Sequence, residues 1–203
     1  MLQSMTTQVT SARLSRAARK EQTRAALLTA ARSVVARRGM QAANNEEIAR
    51  EAGMTIGAIY SNFASRADLM SALWADVAAH SNVQLEETAS IRECLQALAS
   101  RVVQLVDDDP ESVDLQMEFQ LFAVREPAAR ESRLPHWEAS HQAHSAVLQR
   151  VADASGEALP VAARDYAEAV SNLAWSLAVS RRVLGADVMT EDRITQALLA
   201  LAP

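Results

Sequence analysis

Between Asn44 and Phe63 the chain gathers side chains suited to meeting a polyanion, and few that could make or break a bond. Thr55, Ser61 and Asn62 carry hydrogen-bonding groups, Tyr60 has a hydroxyl able to reach a phosphate, and Gly57 and Ala58 let a backbone approach a surface closely. On one short helix, these residues would suit the major groove of B-DNA, which admits a single α-helix. Reactive constellations are missing elsewhere. The sequence has no glycine-rich phosphate loop, nucleophile elbow or paired catalytic carboxylates, so an enzyme is not expected. His136, His141 and His144, with Glu131 and Glu138 nearby, form the one region with conceivable metal-ligand spacing. His141 and His144 could face one ion, but a site needs three or four converging ligands and no established signature is present. A metal-responsive protein is the alternative reading of that region, and no cofactor is expected.

A reading helix needs a rigid brace, and the flanking residues supply one. Asn44 with Glu47 three residues on is a capping-box arrangement for a short helix to about Ala52. Gly53 breaks that helix, and Thr55 can cap the next, over Ile56 to Phe63. Ile48, Ala49, Ala52, Met54 and Ile59 are the apolar contacts between the two, and the pair reads as a helix-turn-helix. Before it, Ala26, Leu27, Ala30, Ala31, Val34 and Val35 recur at spacings of three and four, predicting a helix over about 18–38 that stops at Gly39.

The bulk composition is compatible with this reading. The 203 residues are 49% hydrophobic and only 4% aromatic, with five glycines and no sustained alternation of β-branched residues, so an all-helical globular chain is expected. The net charge of -5 is unevenly distributed. Residues 1–80 hold ten arginines and lysines against six acidic residues, a net of +4, and the remainder carries -9. A basic end on an acidic body suits contact with phosphates at one end, although chance imbalance on solvated faces is the plainer alternative. Cys94 is the single cysteine, which excludes an intramolecular disulfide framework. Neither a signal peptide nor a membrane span is apparent, and a cytoplasmic location is expected.

Thr23-Arg24, Ala30-Ala31, Gly39, Ile48-Ala49, Ala52-Gly53, Gly57, Ile59-Tyr60, Phe63 and Asp68-Leu69 fall in register without a gap. Over about residues 19–70 this pattern resembles the DNA-binding domain of the TetR family of helix-turn-helix transcriptional regulators. The resemblance implies phosphate contacts from Asn44, Tyr60 and Arg66. It implies base or near-base contacts from Thr55, Ile56, Gly57, Ala58, Ser61 and Asn62, with Arg38 and Arg50 as neighbours. Val35, Asn45, Ile56 and the Ser61-Asn62 pair depart from the usual family residues, so the operator sequence cannot be read across.

The resemblance also implies a C-terminal small-molecule pocket, a homodimer built on the last two helices, and a repressor that a ligand releases from DNA. Helices are predicted over about 66–88, 91–106, 110–125, 127–155, 160–184 and 190–201, with a possible kink at Pro135. The expected organisation is a flexible arm over 1–17, the helix-turn-helix domain over 18–65, and a regulatory and dimerisation domain over 66–203. In the helix over 160–184, Tyr166, Val170, Leu173, Leu177 and Leu184 mark one apolar face and Ala167, Ala174 and Ala178 a second, which would need a partner. A monomer with an internal core is the alternative. Candidate pocket residues are Met117, Leu121, Phe122, Trp137, His141, Ser145, Asn172 and Trp175, which suggest an apolar or aromatic effector. An effector-independent DNA-binding protein is a further possibility.

Overall fold

The computed structural model describes residues 15–81 and 85–203, and every regular element among them is an α-helix. In order these are α1 (Arg16–Arg38), α2 (Asn45–Glu51), α3 (Ile56–Asn62), α4 (Arg66–Ser81), α5 (Ile91–Asp108), α6 (Pro110–Arg125), α7 (Pro127–Ser155), α8 (Ala163–Leu184) and α9 (Glu191–Leu199). The expected N-terminal arm falls mostly outside the described residues. Its last two positions already belong to α1, which Ser15 caps by accepting the Ala18 amide on Oγ at 3.1 Å. The fourth helix was expected to reach about 88, yet residues 85–88 are not helical. A reciprocal cap explains how the chain restarts: Ser90 Oγ accepts the Glu93 amide at 3.2 Å, and Glu93 Oε2 accepts the Ala89 amide at 3.1 Å. Helix α7 runs on through Pro135, although proline there cannot donate to the carbonyl four residues earlier.

Burial divides the apolar residues into two clusters. In the first, Leu27, Ala31, Val34 and Val35 of α1 meet Ile48 of α2, Ile59 of α3 and Leu69, Leu73 and Val77 of α4. Leu115 and Phe119 of α6 complete it. The α4 side chains thus pack with the three N-terminal helices, and the expected domain boundary at 65/66 runs through one continuous cluster. In the second, α5 contributes Ile91, Leu95 and Val102, α7 contributes Leu148 and Val151, α8 contributes Tyr166 and Val170, and α9 contributes Ile194 and Leu198. Val113 of α6 belongs here, so α6 has a foot in both clusters.

The two faces predicted for α8 turn out differently. Ala167, Ala174 and Ala178 are buried within the protomer beside Tyr166 and Val170, because α5, α7 and α9 all pack against this helix. They are not a second face awaiting a partner. The apolar side chains that α8 leaves outside are Val183 and Leu184, 67% and 54% exposed, and Val188 follows at 40%. Ala169 and Ser176 are exposed along the same helix.

Near its C-terminus α8 is clamped to α5. Arg181 reaches Asp107 with Nε at 2.9 Å and Nη2 at 2.7 Å, and its Nη1 donates to the Met189 carbonyl at 2.6 Å. The Arg181 hydrogen bonds hold the Asp107 carboxyl below its ordinary pKa. A depressed folded pKa stabilises fully above the unfolded value, about 3.9 for aspartate, and this contribution disappears as pH falls below it. Asp107→Asn is therefore expected to flatten the loss of thermal stability below about pH 4, measured by pH-dependent melting. Cys94 is fully buried in the second cluster, and its thiol is pushed up to about 11, first by desolvation and then by Glu86. Alkylation by iodoacetamide at about pH 8 should proceed only as fast as the protein opens, and fast labelling of the native protein would contradict this burial.

Candidate nucleic-acid interface and internal cavity

Helices α2 and α3 are seven residues each and would not be stable alone. Tertiary contacts hold them. Asn44 Oδ1 accepts the Glu47 amide at 2.8 Å, the first half of the expected capping box. The second half is replaced, since the Glu47 carboxylate faces Arg38 Nε at 3.6 Å. Between the helices Gly53 takes a φ of 67°, the left-handed conformation that favours glycine. Ile59 anchors α3 with no exposed surface, and Phe63 is buried behind it. Arg24 of α1 closes the unit: Nη1 donates to the Asn62 carbonyl at 3.0 Å, and the guanidinium lies over the Phe63 ring at 4.3 Å. A cation at a helix C-terminus also complements the helix dipole.

With α3 fixed, its outer residues are available. Thr55, Ile56, Gly57, Tyr60 and Ser61 are exposed, and Ala58 is half-buried. The Thr55 side chain makes no capping bond, contrary to expectation, so its hydroxyl is left to the surface. Tyr60 is 61% exposed. Asn44, at the start of α2, is also exposed, and only its carbonyl oxygen is used in the cap. Two expected contact residues are placed otherwise. Asn62 turns Nδ2 back to the Ala58 carbonyl at 2.8 Å, while its Oδ1 is buried without a partner. Arg66 is half-buried, donating from Nη2 to the Met40 carbonyl at 2.6 Å, and burial lowers its pKa. The sequence hides this, because Met40 is 26 residues away.

The second feature is a cavity of about 280 Å³ between α4, α5, α6, α7 and α8. Of the expected pocket residues it is lined by Trp137, His141, Asn172 and Trp175. Met117, Leu121, Phe122 and Ser145 are not in its wall. Helical phase accounts for Ser145. At 100° per residue it stands about 80° round from Trp137, whereas His144 is within about 20°, and His144 lines the cavity. On α6 the expectation favoured apolar residues, but the wall is formed by Gln116 and Gln120. Leu121 is 45% exposed, and Phe122 packs against the first cluster. Trp74, Leu98, Val102 and Arg133 are among the further lining residues that the sequence did not single out. Polar and charged residues are an ordinary surface signal, and nothing in one sequence marks those that turn inward.

His136, His141 and His144 all line the cavity. His141 Nδ1 lies 2.9 Å from the Trp137 carbonyl, which can only accept, so that nitrogen carries the proton. His144 Nδ1 is 3.0 Å from Ser171 Oγ. Among the described residues no three histidine, cysteine or carboxylate side chains are grouped so as to hold a metal ion.

Contacts between α6 and the N-terminal helices link the two features. Arg32 of α1 meets Glu111 Oε1 through Nε at 2.8 Å, and Asp109 Oδ1 and Ser112 Oγ through Nη2 at 2.8 and 3.0 Å. Glu118 Oε2 accepts the Met40 amide at 2.8 Å. It also sits so close to Gly39 that an added Cβ would be 3.2 Å away.

Residues 27–73 match the family model for bacterial regulatory proteins of the tetR family. The helix-turn-helix unit is a TetR-family DNA-binding domain. No curated protein sequence matches the chain. Solved structures share its fold well beyond the TetR domain. GusR of Salmonella enterica is 20% identical with a TM-score of 0.72, covering 89% of this chain and 95% of that one. A transcriptional regulator from Rhodococcus sp. Rha1 is 20% identical with a TM-score of 0.71, covering 88% and 92%. FadR from Bacillus subtilis, solved in complex with stearoyl-CoA, is 16% identical with a TM-score of 0.70, covering 88% and 99%.

Within the TetR domain, then, Arg24 holds α3 in place and Arg66 holds the α1–α2 turn. Arg66→Ala is expected to lower stability by about 1–3 kcal/mol in thermal denaturation, as for loss of a charged donor to a buried acceptor. An unchanged melting midpoint would show that the Met40 contact contributes nothing.

Proposed function

We propose that this protein is a homodimeric transcriptional repressor that binds an inverted-repeat operator in the cytoplasm and leaves it when a small molecule fills the cavity. The observation that carries this reading is a rigidly braced α3 whose outer face is exposed, in a TetR-family domain joined to a cavity through α6. Thr55, Ile56, Gly57, Ala58 and Ser61 are the residues for base edges, with Ile56 and Ala58 suited to a thymine methyl group. Tyr60 and the Asn44 amide group suit phosphates. Asn62 turns its amide nitrogen back within α3, and Arg66 bonds to the Met40 carbonyl at the α1–α2 turn, so these two are left out of the proposed contact set.

Dimerisation through α8 and α9 would set two copies of α3 about one DNA turn apart, roughly 34–36 Å, as two-fold operators require. The exposed Val183 and Leu184, with the small Ala169 and Ser176 along α8, support that surface. The effector role of the cavity is supported by its place beside α6, whose Glu118 holds the α1–α2 turn. FadR of Bacillus subtilis, with its bound stearoyl-CoA, is a related fold that accepts a ligand.

Selection of bound sequences from a random DNA pool, at stated near-physiological salt, tests the reading. One inverted repeat should be enriched and bound about 10³-fold or more above random DNA. Binding of all sequences alike, with affinity following salt alone, would mean a nonspecific DNA-binding protein and would overturn it.

A further inference from the structure

We propose that the cavity takes a compact carboxylate on an apolar ring or short chain, with Arg133 and the Trp74 indole N–H receiving the acid group. This rests on the reading of the cavity as the effector site and adds the charge and size of what enters.

Among the described residues, the wall contains no aspartate or glutamate. It contains Arg133, whose guanidinium lies 4.5 Å from the centre of the Trp74 ring and makes no ion pair among the described residues. Half-buried arginine without a carboxylate is unusual, since removing a cation from water is costly unless an anion accompanies it. Burial lowers its pKa from the ordinary arginine value, the expected sign of that cost. A guanidinium placed over the Trp74 ring still has N–H donors that can meet a planar carboxylate in a forked pair.

A second observation points the same way. Trp74 Nε1 is buried and has no partner among the described residues. Indole N–H is only a donor, and buried donors are rarely left unsatisfied, so it calls for an acceptor. His141 adds a buried Nε2, also without a partner. Its Nδ1 proton is held by the Trp137 carbonyl, so Nε2 accepts from the ligand when the ring is neutral and donates when it is charged. Leu98, Val102 and Leu105 of α5 and Trp175 of α8 supply apolar surface for the ring or chain, facing polar groups that include Gln116, Gln120 and Asn172. A volume of about 280 Å³ lies just below the roughly 300–1,000 Å³ usual for ligand sites, which suits one aromatic system or a short chain.

Calorimetric titration of the full chain with three acid and amide pairs tests the proposal: phenylacetate and phenylacetamide, indole-3-acetate and indole-3-acetamide, octanoate and octanamide. At least one acid should bind about tenfold or more tighter than its amide, roughly 1.4 kcal/mol. Arg133→Gln should abolish that preference with little change in amide binding, and Arg133→Lys should keep part of it. Trp74→Phe, which keeps the ring and removes the N–H, should weaken the acid several-fold and is a second measurement should Arg133→Gln misfold. Equal binding of acid and amide, a preference surviving Arg133→Gln, or no binding by any acid would overturn the proposal. Operator release in the same samples separates the two readings. An acid that binds as expected without releasing DNA leaves the ligand class standing and removes the effector function.

Discussion

Glu118 accepting the Met40 amide is the contact on which the arrangement of the molecule turns, because it ties the element bordering the cavity to the corner between α1 and α2. Helix α6 is shared by both apolar clusters, through Leu115 and Phe119 on one side and Val113 on the other. Close-packed interiors do not deform smoothly, so a helix belonging to two of them shifts as a unit or not at all. Gln116 and Gln120 face the cavity from the same two turns that carry Glu118. Whatever displaces those glutamines therefore acts directly on the α1–α2 turn. The Arg32 cluster with Asp109, Glu111 and Ser112 ties the N-terminal end of α6 to α1.

The TetR domain itself leaves little freedom at α3. Ile59 and Phe63 seat it from below, Arg24 closes its C-terminal end, and Asn62 folds its amide back along the helix. Preorganisation of this kind lowers the ordering cost of binding, so the exposed face can consist of small and modestly polar residues. The basic residues near it do structural work as well as lending charge, as Arg37 with Glu51 and Arg38 with Glu47 also show.

The cavity differs in character from a plain hydrophobic pocket. Its α7 wall carries Arg133, His136, Trp137, Ser140, His141 and His144, and its α6 wall is two glutamines. The core beneath carries the apolar burden through Leu148 and Val151. Such a wall can orient a ligand by hydrogen bonds while the large aromatic groups supply contact area.

The sequence by itself determined the helices and the helix-turn-helix. Apolar spacings along α1, the Gly53 break and the prolines at the starts of α6 and α7 are local signals, and local hydrogen bonding and sterics decide such boundaries. It also marked Trp137, His141, Asn172 and Trp175 near the cavity, since large or polar residues at helical spacing are visible along one chain. Only the tertiary structure decided which faces turned where. Ala167, Ala174 and Ala178 became core because α5, α6, α7 and α9 pack against α8, and Arg66 went to a carbonyl 26 residues distant. Arg133 and Trp74 met across 59 positions to make the cationic corner of the cavity. Those outcomes depend on packing between elements far apart in the chain, and periodicity gives each helix a face without saying what that face will meet.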